Sequence, residues 1–453
     1  MGSKPVVVVG AGLAGLSATY TLRKKGIDVV AYEASGHAGG RCRTVEEDGY
    51  EFFVGAGATE PQWDTTFQYI RELGLQDRVY TVPRQRYGFY RDGRIHTLVV
   101  DPSPRGMLRS LPENLRFLLH GPPLRTWWQM AKLTRALRRY TKLVDAGRHE
   151  FGALDEISNT STADFVRTHG GPEALEWVFH PFLATMVLGR PSEISVVHPI
   201  SLFALMKGMC SMRGGLGTIS AGLYERVEDR VHLETPVEEV VIEDGAVVGV
   251  RTAVGLVEAD QVICAVDAVT ALRLLPGLPD SMRIPLETCR YSSTYFFQFG
   301  LEEPLELPAD TPWYVVMMPA GADTILNFAS LGSMDAAHPI VVASTRGWAD
   351  AELGRLDDEE RRRLVIDELR RLVPSFPREP KITKVFRWDR AVNLEAPGQF
   401  AAIQQLLRHD YRDVDGLYLA GEYLFLIAST EGAMRTGKHA AELAADDRRV
   451  ARR

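Results

Sequence analysis

Cysteine is scarce in this chain, and the four that occur, Cys42, Cys210, Cys264 and Cys289, fall far apart with no C-x-x-C pair. Neither a disulfide framework nor a zinc site is therefore written into the sequence. No apolar run approaches the ~20 residues that span a bilayer. The histidines, among them His180, His198 and His338, show no H-E-x-x-H spacing, and no G-x-S-x-G elbow occurs, so metalloprotease and serine hydrolase chemistry have no foothold. A basic excess is missing too. The net charge of -7 argues against nucleic acid as a partner, because phosphate contacts call for a positive field. No signal-type cleavage site precedes the first valine run, and a cytoplasmic protein with free thiols is the expectation. What remains is 453 residues of ordinary globular composition, enough for two or three domains.

The first forty residues are the most informative. Val6 to Val9 is a β-branched run suited to a strand buried on both faces of a parallel sheet. It ends in Gly10-Ala11-Gly12-Leu13-Ala14-Gly15, a helical pattern follows to Lys25, Gly26 stops it, and Ile27 to Tyr32 reads as a second strand. Strand, glycine turn, helix and strand in this order are the context that gives G-x-G-x-x-G its meaning. Gly10 permits the tight turn, Gly12 lets backbone approach a pyrophosphate, and Gly15 lets the helix lie close to the strand. Leu13 and Ala14 open the helix, whose N–H groups attract phosphate. Glu33, directly after the second strand, is placed to accept both ribose hydroxyls of an adenosine, which suits FAD or NAD but not NADP.

Two further loops separate FAD from NAD. Gly39-Gly40-Arg41 lies just beyond the second strand, and Gly55-Ala56-Gly57-Ala58-Thr59 offers another place where backbone can approach a flat ligand. With Glu33 they resemble the flavin amine oxidase superfamily, which contains monoamine oxidases, protoporphyrinogen oxidases and phytoene-type desaturases. The resemblance implies FAD as cofactor, with Gly39, Gly40 and Arg41 near its pyrophosphate and Gly57, Ala58 and Thr59 near the flavin. It resumes at Arg213-Gly214-Gly215-Leu216-Gly217 and at Thr235-Pro236-Val237, where Val237 would meet the adenine through its backbone. It closes with Leu419-Ala420-Gly421-Glu422 and a helix opening at Ser429-Thr430-Glu431-Gly432-Ala433. By resemblance Gly421 and Glu422 hold the ribityl chain, and the backbone of Thr430, Glu431 and Ala433 faces the flavin pyrimidine. A helix start is suited to this, since reduced flavin gathers negative charge at N1.

Two departures narrow the substrate. Arg387-Trp388-Asp389-Arg390-Ala391 is similar to a segment of protoporphyrinogen oxidases but lacks its usual P-x-Y continuation, which counts against a porphyrinogen. The stretch Arg290 to Phe297 lacks the lysine that amine oxidases carry near flavin N5. Trp388, Tyr423 and Phe425 are candidates for the pocket wall, and no catalytic base is marked by spacing.

The expected fold is α/β: a Rossmann-like FAD-binding domain assembled from the discontinuous segments 1–75, 205–270 and 385–453, with an inserted α+β substrate domain from 76–204 and 271–384. Between 105 and 148, ten Lys or Arg meet only Glu113 and Asp145, interleaved with Leu124, Trp127, Trp128, Leu133 and Leu137. This predicts a basic amphipathic helical region, either a solvated face or a peripheral membrane contact. The functional expectation is an oxidoreductase that moves hydride from a C–H of a small organic substrate, polar or apolar, to flavin, with oxygen or a quinone-like molecule as electron acceptor. A redox-neutral FAD-dependent isomerase or mutase is the alternative, and a flavin-free prenyl-protein escort module a remote one.

Overall fold

Four successive valines can be buried only where both faces of a strand are covered, and Val6–Val9 is the middle strand of a five-stranded parallel sheet. Its neighbours are Val29–Tyr32 on one side and Val262–Cys264 on the other, with Val231–His232 and Leu417–Leu419 at the edges. The computed structural model describes residues 4–82, 84–101, 103–144, 154–205, 208–307, 313–319, 321, 323–333, 335, 337–408 and 413–451. The end of the expected basic region, 145–148, lies outside them.

The glycine turn folds as its spacing implies. Gly10 has φ +96°, and its N–H donates to Tyr32 O, so strand and helix are joined by a turn that an L side chain would strain. A Cβ on Gly15 would lie 1.8 Å from Gly10 O, so only glycine lets Leu13–Lys24 start this close to the strand. The same helix packs along the terminal helix Thr430–Ala451, and there a Cβ on Gly437 would lie 2.0 Å from Ala14 O. The terminal helix extends to Ala451. Its buried Ala440, Ala441, Ala444 and Ala445 continue the packing, and Arg448 bonds Lys4 O.

Beside this sheet lies an antiparallel unit, Val237–Glu243, Ala246–Thr252 and Gly255–Glu258. Asp244 and Gly245 both have positive φ, at 49° and 79°, the twist that a two-residue hairpin requires.

The other half of the molecule is organised by a seven-stranded mixed sheet. Its order is Ile382–Trp388, Thr294–Gly300, Ile340–Thr345, Leu326–Ser330, Tyr314–Met317, Gln85–Arg91 and Arg94–Val100. Ile382–Trp388 runs across the boundary expected at 385, because it pairs with Thr294–Gly300 along its whole length. One face is covered by the helix Asp358–Leu372, which buries Phe297 and Phe299 against Val365, Ile366 and Leu369. The opposite face looks toward the glycine loops of the parallel sheet. The basic region forms two helices, Pro104–His120 and Leu124–Thr141, broken at Gly121 to Pro123.

Candidate cofactor and substrate site

The site is assembled where the glycine turn, the second glycine loop and the terminal helix meet. Gly39 donates its N–H to Ala11 O at 2.8 Å, which lays the Gly39-Gly40 loop beside the first turn. A Cβ on Gly40 would come within 3.4 Å of Gly12 Cα, whereas a Cβ on Gly12 would meet no protein atom within 4 Å. Gly12 thus faces a cradle rather than a packed neighbour, with the start of Leu13–Lys24 beneath it. Glu33 stands at one end. One carboxylate oxygen accepts the Ala11 N–H at 2.8 Å, and the other accepts the N–H and hydroxyl of Ser35. The backbone of Thr235 bonds Glu33 O, so the segment entering Val237 runs along this end, although Val237 itself is buried core behind the sheet.

At the other end Arg41 and Glu422 form an ion pair of 2.7 Å, and Arg41 also donates to Ala391 O. Burial disfavours the Arg41 charge, but the Glu422 carboxylate beside it, helped by Tyr291 and Asp267, holds its pKa above the ordinary value. The Arg41 guanidinium is therefore held in its charged form, and the ion pair ties two remote segments together. The Gly421 N–H is accepted by the Thr436 hydroxyl, which fixes the strand end to the terminal helix.

Polar groups without partners mark where a flat ligand with polar edges would sit. Among the described residues, Thr59 Oγ1, Thr430 Oγ1 and both amide atoms of Gln62 are buried with no hydrogen-bond partner. Such groups are costly unless a ligand or water satisfies them. Together with the open side of Gly12, they fit a dinucleotide whose diphosphate lies on the first turn and whose ring system lies near Thr59 and Thr430.

Not every expected residue contributes in the expected manner. The Glu431 carboxylate is turned away from the cradle, where it accepts the N–H groups of Thr65 and Thr66 and pairs with Arg435. It caps the helix Asp64–Glu72, which leaves its backbone N–H as the group available to a cofactor. Tyr423 is buried with Val7, Val9 and Val240 in the core behind the parallel sheet, and Phe425 joins the helical core around Leu133 and Leu137. Trp388 does reach the loops, because its indole N–H donates to Val54 O at 2.7 Å.

The sequence reading missed a row of aromatics on the sheet face next to that loop. Residues directly opposite each other in a sheet share a face. Phe296 and Phe328 both lie opposite Ser344, and Phe328 and Phe89 both lie opposite Met317. The Phe53 ring meets Phe296 edge-on at 5.9 Å, and a Cβ on Gly57 would touch Phe53 at 3.0 Å. Tyr87 shares the face, and burial together with the nearby Glu60 carboxylate pushes its pKa up to about 12. These side chains come from strands separated by more than two hundred residues, and the period-two neighbours of Phe296 are the polar Thr294 and Gln298, so no local pattern marked them.

Reactive thiols are absent from the site. All four cysteines are buried and unpaired, and burial pushes Cys42, Cys264 and Cys289 up to about 12 and Cys210 to about 11. They are protonated at neutral pH and inert.

Comparison with known proteins gives this geometry a context. The family described as flavin containing amine oxidoreductase matches residues 13–445. The chain belongs to that family. Its cofactor is FAD, and its relatives are FAD-dependent oxidoreductases. Within this flavin amine oxidoreductase family the chain is 31% identical over 204 residues to the mitochondrial protoporphyrinogen oxidase of Nicotiana tabacum, a match covering 43% of this chain and 35% of that protein. It is 27% identical over 348 residues to the all-trans-zeta-carotene desaturase of Myxococcus xanthus, covering 70% of this chain and 63% of the desaturase. The matches thus span about a third of the plant enzyme's length and under two thirds of the desaturase's. Among solved structures, cyclohexylamine oxidase from Brevibacterium oxydans aligns over 98% of this chain and 99% of its own, with TM-score 0.75 and 17% identity. A fatty acid isomerase from P. acnes aligns over 98% of each chain with TM-score 0.68 and 17% identity. These two likenesses establish a shared mixed α/β fold whose parallel sheet is consistent with a Rossmann-like FAD domain.

Proposed function

We propose that this flavoprotein removes a hydride, two electrons with one proton, from a C–H bond of a small, apolar organic substrate, the second hydrogen of a new double bond leaving the neighbouring carbon as a proton. The substrate would lie against the aromatic row beside the Gly55 to Thr59 loop. The observation that carries the reading is the convergence of the FAD cradle on a sheet face lined by Phe53, Phe296, Phe328 and Trp388. Bound FAD supplies the two-electron acceptor for such a bond.

The chain's own residues contribute placement and a dry environment. Glu33 and the first turn position the adenosine diphosphate half, and Arg41 with Glu422 braces the ribityl region. The aromatic row excludes water and orients a planar or extended substrate, a contribution that raises the rate through alignment. No side chain is assigned as a base. Tyr87 stays neutral, and Lys384, whose register position is opposite Gln298, is paired with Glu47. This favours a carbon chain or ring that becomes unsaturated over an amine, in keeping with the long match to a carotene desaturase.

The redox-neutral alternative uses the same cradle, and the isomerase neighbour shares the fold. Anaerobic mixing of the FAD-loaded protein with amines, porphyrinogens and isoprenoids tests the reading. Bleaching of oxidised flavin by an apolar unsaturated compound, reversed by oxygen or a quinone, is the expected result. Product formation with no acceptor consumed would establish the isomerase instead. A colourless protein that takes up no FAD would point to a carrier.

A further inference from the structure

We propose that the elbow between Pro104–His120 and Leu124–Thr141 is a docking surface for an anionic lipid bilayer. The first helix rests on the strand Arg94–Val100 through Gly106, Ser110 and Phe117 and turns Leu108, Leu111, Leu115 and Leu119 outward as one stripe. The second helix buries Thr126, Gln129, Leu133 and Leu137 and presents Leu124 and Trp128. Leu124 is 84% exposed, Leu108 72% and Trp128 61%, which is far more apolar exposure than isolated surface residues explain. The edge-on contact of Phe117 with Trp127 at 6.2 Å holds the two outward faces together at the elbow.

Charge decides the occupant. Arg109, Arg116, Arg125, Lys132, Arg135 and Arg138 are exposed around the stripe, and among the described residues none forms an ion pair. Glu113 is turned inward onto Arg84 and Arg86, so it does not neutralise this field. Lys132 sits over the Trp128 ring at 4.5 Å, a pairing of cation and indole suited to a headgroup layer. A second copy of the chain is disfavoured, because a two-fold contact would set these cations against themselves. A bilayer accepts the apolar stripe and the basic rim together. No described helix is long and apolar enough to cross it. The inner side of the elbow leads to the site: Phe117 meets Phe89 at 5.5 Å, and Phe89 lies in the row with Phe328 and Phe296. An apolar substrate dissolved in lipid would meet an aromatic path at the point of docking. The surface stands independently of the reaction proposed above.

Sedimentation of the FAD-loaded protein with vesicles of phosphatidylcholine plus phosphatidylserine, and of phosphatidylcholine alone, tests the proposal. Binding is expected to the mixed vesicles, to fall with added salt, and to be at least tenfold weaker on the neutral ones. The double variant Leu119→Asp, Leu124→Asp should stay in the supernatant. The triple variant Arg125→Ala, Lys132→Ala, Arg135→Ala should lose about two orders of magnitude in affinity. All five side chains are exposed, so flavin absorbance and melting temperature should match the wild type. The proposal is overturned if wild-type protein ignores both vesicles, or if the variants bind as well as the parent. Wild-type dimerisation that the aspartates abolish, without vesicle binding, assigns the surface to a second copy instead. Capture by an acidic polypeptide with no lipid binding assigns it to a protein partner.

Discussion

Single side chains set the affinity for FAD. Gly12 faces the cradle with no protein atom near a would-be Cβ, so Gly12→Val is expected to keep the fold and to fill the space proposed for the diphosphate. The variant is expected to purify without flavin, as read by absorbance and by uptake of added FAD. Glu33 is a harder case because its carboxylate also holds the Ala11 N–H. Glu33→Gln retains an acceptor for that N–H but removes the charge that would strengthen a ribose hydroxyl bond. A charge-assisted bond contributes roughly 1.5 to 3 kcal/mol, so FAD should dissociate about ten- to a hundredfold more readily. Titration of apoprotein followed by flavin fluorescence quenching measures this, and unchanged affinity would confine Glu33 to a structural role.

Helices and strands, rather than residues, bring the two ends of the chain together. Glu431 lies at the start of the terminal helix and its carboxylate caps Asp64–Glu72, so one side chain fixes the loop after Thr59 to the segment proposed to cover the flavin. Glu431→Ala should destabilise the protein by about 1 to 2 kcal/mol from the lost cap alone, and more because the buried Glu431–Arg435 ion pair is lost with it. Chemical denaturation should register the loss while saturating FAD still binds. Gly437→Leu is expected to be more severe, since its first side-chain carbon would overlap Ala14 O. A variant that melts at the wild-type temperature would contradict the observed packing of the first helix on the last.

For the whole molecule, acid stability is set partly by His180, which lies in the helix His180–Met186 against the seven-stranded sheet. Burial lowers its pKa from 6.5 to about 4, and the cations Arg346 and Arg190 push the same way. The unfolded chain therefore binds a proton in this window and the folded chain does not. Stability is full above pH 6.5 and is lost as pH falls toward 4. His180→Gln should flatten that part of a melting-temperature profile, and an unaltered slope would locate the acid sensitivity elsewhere. Arg346, itself lowered to about 10 by burial, bonds Leu326 O and Pro319 O, and its charge adds to the burial that keeps His180 neutral.

The sequence by itself determined the cofactor end of this protein. Glycines at the first turn, an acid after the second strand and a closing glycine-glutamate are local requirements, since each answers to backbone geometry within a few residues. Those same local rules could not foresee that Arg41 meets Glu422, that Glu431 turns to cap another helix, or that Tyr423 and Phe425 face cores. The aromatic row was equally hidden, for its members share a face only after five strands have chosen their order and register. Strand pairing is non-local: a shift of one residue would turn Phe296 and Phe328 to the opposite side. Tertiary structure alone therefore decided which aromatics line the proposed substrate face, while the sequence had already marked the residues proposed to hold the flavin.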